Sequence, residues 1–135
     1  MITMMGGASW VKARLAATRS PVYYFDFEHV MPGYTAADWG SHHSSELPYI
    51  FGTLDVLAGR PLTPADRQVS QIMQSYFVNF IKTGNPNGTG PEGARLAAWR
   101  PFDPTVNDVM ALGLKSGMRP LASPERLTAW RAVYK

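Results

Sequence analysis

The chain has 135 residues, enough for one compact domain and too short for two ordinary ones. Its hydrophobic fraction of 45% is that of a folded protein, while charged residues make up only 17%, against roughly 25% in typical soluble domains. A formal charge of +3 carried by scattered basic residues argues against a nucleic-acid surface, and the absence of cysteine excludes disulfides and thiolate metal sites.

The chain opens with "MITMMGGASW", which has no basic region ahead of an apolar core and so does not read as a signal peptide. No apolar run approaches the ~20 residues that span a bilayer. Residues 8 to 18, "ASWVKARLAAT", place Trp10, Val11, Arg14, Leu15 and Thr18 in a weak helical spacing with alanine between them. Ser20-Pro21 ends that helix, because a residue before proline is pushed out of the helical region. "VYYFDFE", 22 to 28, is aromatic, β-forming and too short for a typical helix, which predicts a strand buried on most of both faces. Pro32-Gly33 then begins a loop through "GYTAADWGSHHSS".

The clearest helix is predicted from Pro64 to Thr83. Thr63 suits its N-cap, Pro64 its first position, and Asp66 completes a capping box. Val69, Ile72, Met73, Tyr76, Phe77, Phe80 and Ile81 recur at three- and four-residue steps to form one broad apolar face, and Gly84 ends it. "GNPNGTGPEG" is a loop by its turn residues, "DVMALGL" (108 to 114) a short strand, and Ser123-Pro124-Glu125 the start of a last helix with Leu127, Trp130 and Tyr134 on one face. The order of elements predicts an α/β class domain covering 1 to 135. Two strands are a poor sheet by themselves, so an incomplete sheet, the end of a larger one, is expected.

Chemistry concentrates in "GSHHSSELPYIFG", 40 to 52. A histidine on a loop after a buried strand is placed for a general base, since catalytic groups gather beyond the carboxyl ends of strands. His42 or His43 with Glu46 would also share one side of a helical turn, but a zinc ion would need a third ligand from His29 or a scattered aspartate. No metal site and no cofactor are expected. A serine nucleophile requires a sharp strand-to-helix turn, usually Gly-x-Ser-x-Gly. The nearest approach, "GASWV" from Gly7 to Val11, lacks the second glycine and a preceding strand. Ser41, Ser44 and Ser45 lie beside His43 in sequence with nothing to activate them.

The stretch from Gly40 to Gly52 resembles the histidine loop of the type-B carboxylesterases, the family of bacterial para-nitrobenzyl esterases and animal cholinesterases. Gly40, His43, Glu46, Tyr49, Phe51 and Gly52 fit that register, whereas aligning His42 would need glycine at Trp39 and glutamate at Ser45. "PVYYFDF" resembles the strand before the loop, "YFVNFIKTGNPNG" the helix and turn after it, "WRPFDP" the next short segment and "ERLTAW" the closing helix. The resemblance implies the C-terminal part of an α/β-hydrolase fold, hydrolysis of a small carboxylic ester through a serine acyl-enzyme, and His43 as the catalytic histidine of a Ser-His-acid triad. It implies that Glu46 is an anchor for its loop rather than the triad acid. It also implies that nucleophile, acid and oxyanion hole lie upstream of this chain, so that a start at Met1 marks a shortened frame or fragment.

Two other functions stay open at this point. One is a non-catalytic hydrolase segment that associates with a partner, a missing N-terminal part or itself. The other is a small esterase that recruits a serine next to His43. Phe102, Tyr34 and Trp39 are candidate borders of a substrate pocket, with ordinary packing as the alternative for each.

Overall fold

The computed structural model describes residues 2–35, 39–57 and 59–133. The elements are helix α1 (Ile2–Ala17), strand β1 (Phe25–Phe27), the short helix α2 (Leu47–Ile50), helix α3 (Pro64–Thr83), strands β2 (Asp108–Leu112) and β3 (Gly117–Pro120), and helix α4 (Pro124–Val133). Single 3₁₀ turns stand at Leu54–Val56 and Pro91–Gly93. Helices thus flank a sheet of three strands in the order β1-β2-β3, a partial α/β arrangement.

β1 runs parallel to β2, and β2 and β3 form an antiparallel hairpin. The hairpin turn is closed by Ser116, whose hydroxyl donates to the Gly113 carbonyl at 2.9 Å. β3 was not foreseen. Four residues ending in proline make a weak local signal, and proline is tolerated there because β3 lies at the sheet edge.

The aromatic stretch around β1 is also corrected. Tyr23, Phe25 and Phe27 turn one way, into the core under α3. On the other face Asp26 and Glu28 pair with Arg119 of β3, and Tyr24 meets the Phe102 ring with centroids 5.7 Å apart. That face is half-buried and partly ionic, so β1 is apolar on one side only. β2 is the strand buried on both faces, from Val109 to Leu112.

α3 follows its sequence signals closely. The Thr63 hydroxyl accepts from the Asp66 amide, Asp66 accepts from the Thr63 amide, and Gly84 takes a left-handed φ of 73° to stop the helix. Val69, Met73 and Tyr76 are fully buried. Ile81, by contrast, is 78% exposed and lies off the buried stripe. The turn after α3 is a hydrogen-bonded device. Asn87 donates through Nδ2 to the Trp99 carbonyl and accepts through Oδ1 from the Trp99 amide, at 2.8 and 2.7 Å. It therefore fixes Trp99 against the core.

α1 begins earlier than its spacing suggests, at Ile2, and buries Val11 while leaving Trp10 exposed. Gly7 lets it approach β1: a Cβ there would stand 2.6 Å from the Tyr24 hydroxyl. The "GASWV" stretch lies inside this helix, not on a strand-to-helix turn. α4 starts at the expected Pro124, with the Ser123 hydroxyl accepting from the Arg126 amide. Leu127 and Trp130 fall within it; Tyr134 lies outside the described residues.

Candidate functional site

The segment from Gly40 to Gly52 leaves the core side of the molecule beyond the C-terminal end of β1. Gly40 and Ser44 both take left-handed backbone angles, φ of 55° and 68°, and so fold residues 40–46 into tight turns. His43 sits between them with its side chain exposed, and it makes no hydrogen bond or ring contact among the described residues. His42 behaves differently. Its ring lies edge-on to Tyr34 at 5.0 Å and to Trp39 at 6.0 Å, and its Nδ1 is buried. The two neighbouring histidines are therefore separated physically: one is packed, the other presented.

The serines beside them are placed for structure. Ser45 is buried and donates to the His42 carbonyl at 2.6 Å, closing the turn. Ser41 and Ser44 are exposed, and neither is hydrogen-bonded to His43. Glu46 serves the loop through its backbone: its carbonyl accepts from the Tyr49 and Ile50 amides, while its carboxylate makes no capping hydrogen bond. The loop is tied to α3 by Tyr49 and Ser70.

Tyr49, fully buried, is the residue that ties this loop to the body of the protein. Its hydroxyl donates to Asp66 Oδ1 at 2.8 Å, and its carbonyl accepts from the Ser70 hydroxyl at 2.9 Å. Gly52, with φ of 66°, passes so close to α3 that a Cβ would meet the Gln74 side chain at 2.7 Å. The angle favours glycine, and an added Cβ would have to push the end of the Gln74 side chain aside.

Asp66 is the hub. His29 Nε2 lies 2.7 Å from Oδ1, while the Thr63 amide and hydroxyl donate to Oδ2 at 2.7 and 2.6 Å. Burial by itself would raise the pKa of this carboxyl. Hydrogen bonds from the Thr63 hydroxyl, His29, the Thr63 amide and Tyr49 outweigh it, and hold the group down at about 2. With the carboxylate ionised, His29 Nε2 carries the proton and donates. Burial, together with the bond to this carboxylate, raises the Tyr49 phenol in turn. One side chain thus joins the exit of β1, the exit of the histidine loop and the start of α3. Asp66 read in sequence as a capping residue alone. Its further role was signalled by its place on the stripe of Val69, Met73 and Tyr76, where an acid requires a buried partner.

His29, weighed in sequence as a third metal ligand, is committed to Asp66. Of the candidate pocket residues, Tyr34 and Trp39 gather around His42, their rings 5.7 Å apart. Arg60 fastens that corner by donating to the Pro32 carbonyl and the Tyr34 hydroxyl, its guanidinium 4.2 Å from the Tyr34 ring centre. Phe102 is elsewhere. It is buried under Tyr24 and its amide donates to the Val22 carbonyl, at the opposite end of the strand from His43. No helix of the described residues is long and apolar enough to cross a membrane.

Comparison with known proteins bears on this arrangement. Residues 2–130 match the family model described as "Carboxylesterase family". The chain is 29% identical to human cocaine esterase over 88% of its own length, and 24% identical to human neuroligin-2 over 96%. It is 30% identical to the crystal protein of Dictyostelium discoideum over 81%. It spans 21%, 18% and 20% of those relatives respectively.

Proposed function

Because this chain belongs to the carboxylesterase family, we propose that it is the segment of a carboxylic ester hydrolase that supplies the histidine of a Ser-His-acid triad, His43. The observation that supports this most is the contrast at residues 42 and 43. His42 is packed between Tyr34 and Trp39, whereas His43 is held out on a hydrogen-bonded turn with both ring nitrogens free of the described residues. A general base must reach a hydroxyl and also accept an orienting carboxylate, and a ring already engaged does neither.

In the proposed reaction His43 takes the proton of a serine hydroxyl as its oxygen attacks the ester carbonyl. The imidazolium then gives that proton to the leaving alkoxide, which departs as the alcohol. Water repeats the cycle: His43 accepts its proton, the hydroxide attacks the acyl-enzyme, and the serine oxygen recovers the proton as the acid leaves. Serine and carboxylate come from outside the described residues, and so does most of the pocket for the small carboxylic ester. Tyr49, Ser70 and Asp66 act by holding the turn that carries His43.

The test is complementation. A carboxylesterase of the family, deleted for its own corresponding C-terminal segment, is mixed with this chain and assayed with 4-nitrophenyl acetate. Hydrolysis is expected with the native chain and with His42→Ala, and not with His43→Ala. Equal rescue by His43→Ala removes the proposed base. The chain alone is expected to leave the ester intact. Hydrolysis by the chain alone, with fluorophosphonate labelling of Ser41, Ser44 or Ser45, would favour a self-contained esterase instead.

A second reading is association without catalysis, supported by the free side of β1. The Tyr24 carbonyl and the Glu28 amide bond to β2, so the alternate backbone groups of Phe25 and Phe27 face away from the sheet. Such an edge is a template for another strand. The names neuroligin-2 and crystal protein also do not denote an esterase. Sedimentation of the purified chain separates the cases: a concentration-dependent dimer supports pairing through this edge, and a monomer across the range opposes it.

A further inference from the structure

A cleft of about 470 Å³ lies between the middle of α3, the segment 91–97 and the turn that joins β2 to β3. Small-molecule sites span about 300 to 1,000 Å³, so the space suits a ligand of that kind. Gln68, Gln71 and Ile72 share one face of α3 and form the first wall. Half-buried Ile72 and Leu96 supply an apolar floor, while the glutamines stand exposed above it. Hydrogen bonds within the chain set the walls. The Tyr76 hydroxyl donates to the Ala97 carbonyl at 2.7 Å and ties segment 91–97 to α3. The Gly90 amide donates to the Ala94 carbonyl at 2.7 Å, and the Leu96 amide to the Gly88 carbonyl at 3.3 Å. Walls fixed in this way leave a ligand little ordering cost.

The charged groups on this cleft are unspent. Arg95 borders it from segment 91–97 and Lys115 from the β2–β3 turn, and both are exposed. Neither side chain makes an ion pair or a hydrogen bond among the described residues. Glu92 also borders the cleft and is likewise unpaired. Unlike the two cations, Glu92 lines an adjoining hollow beside Gln74 and Ser75, so the acid stands toward that end. Two positive charges against one negative leave an excess of one positive charge on the cleft.

We infer that this cleft binds a monocarboxylate carrying a ring system or a short apolar chain, its carboxylate held by Arg95 and Lys115 and its apolar part laid on Ile72 and Leu96. A guanidinium takes a carboxylate through two parallel hydrogen bonds, and a lysine adds a third donor from a flexible stem. The single excess charge matches a monoanion. A dianion would bring its second charge against Glu92, and a cation would meet Arg95 and Lys115. The floor gains by covering apolar surface, which a bare inorganic anion does not offer. The glutamine carboxamides stand beside the apolar part, where they accept or donate without adding charge.

The experiment titrates 1-naphthylacetate and 1-naphthylacetamide, which match in shape and differ in charge, into the ¹⁵N-labelled chain of 135 residues at low salt. The acid is expected to bind about tenfold more tightly than the amide. It is also expected to shift the side-chain amide signals of Gln68 and Gln71 and the backbone signals of Leu96 and Ser116. Arg95→Gln and Lys115→Gln each remove one exposed charge and are expected to weaken the acid about threefold without changing the amide. The double variant is expected to abolish the preference. Lys82→Gln removes an exposed cation that does not border the cleft, and should leave the acid's affinity unchanged. Equal affinity for the two compounds overturns the proposal. So does no binding of the acid, or a loss with Lys82→Gln as large as with Arg95→Gln.

Discussion

Replacing Asp66 by asparagine exchanges one carboxylate oxygen for an NH2 group and should cost about 3 kcal/mol. The four groups around this carboxylate, His29 Nε2, the Tyr49 hydroxyl, and the Thr63 amide and hydroxyl, are all donors, and they converge on its two oxygens. An asparagine presents one acceptor oxygen and an amide that is itself a donor. Whichever way it is turned, two donors meet a donor. The pH dependence adds an independent check on the same number. The folded carboxyl titrates at about 2, against an ordinary 3.8. Its pKa is depressed, so its stabilisation is fully present above the unfolded value and is lost as pH falls from about 3.8 through 2. That span corresponds to about 2 kcal/mol at ~1.4 kcal/mol per tenfold. Urea unfolding of the native chain and of Asp66→Asn is measured from pH 7 to pH 2, and the difference between them is followed. The other carboxylates are common to both proteins and largely cancel. The difference is expected to be flat from pH 7 to about pH 5 and then to shrink by about 2 kcal/mol. Parallel curves over the whole range would refute Asp66 as the ionised hub of the site.

Tyr49→Phe removes one donor from that carboxylate while keeping the buried ring, so a loss of about 1 to 2 kcal/mol in urea unfolding is expected. Asn87→Ala frees both backbone groups of Trp99 and should cost about 2 kcal/mol, with red-shifted tryptophan emission as water reaches the indole. His43→Ala, on an exposed and unengaged side chain, should change the stability in urea unfolding by no more than about 0.5 kcal/mol while removing rescue in the complementation assay.

Helix α3 was legible because its signals are local. A threonine three residues before an aspartate, a proline at the first position, a 3.6-residue apolar stripe and a glycine at the end each act within a turn or two. The proposed histidine register rests on equally local residues, since Gly40, His43 and Glu46 lie within a single turn-forming stretch. Less was readable where the partner is distant. β1 read as doubly buried because its composition is aromatic, yet Arg119 arrives on its second face from far along the chain and makes that face ionic. The resemblance implied Glu46 as an anchor of its loop; it holds the following turn through its backbone carbonyl, while Tyr49 on Asp66 ties the loop to α3.

By itself the sequence determined the capped helix, the alternation of strand and helix, and the family, and it singled out His43 as the histidine proposed for catalysis. The tertiary structure alone decided that His42 is packed and His43 presented, that Asp66 gathers four donors, and that Asn87 clamps the backbone of Trp99. The reason is physical. Periodicity and capping are short-range and leave their mark in neighbouring residues, whereas His29 finds Asp66 across 37 positions and Asn87 finds Trp99 across 12. Which donors a buried carboxylate collects depends on where the chain returns in space, and no local pattern encodes that return.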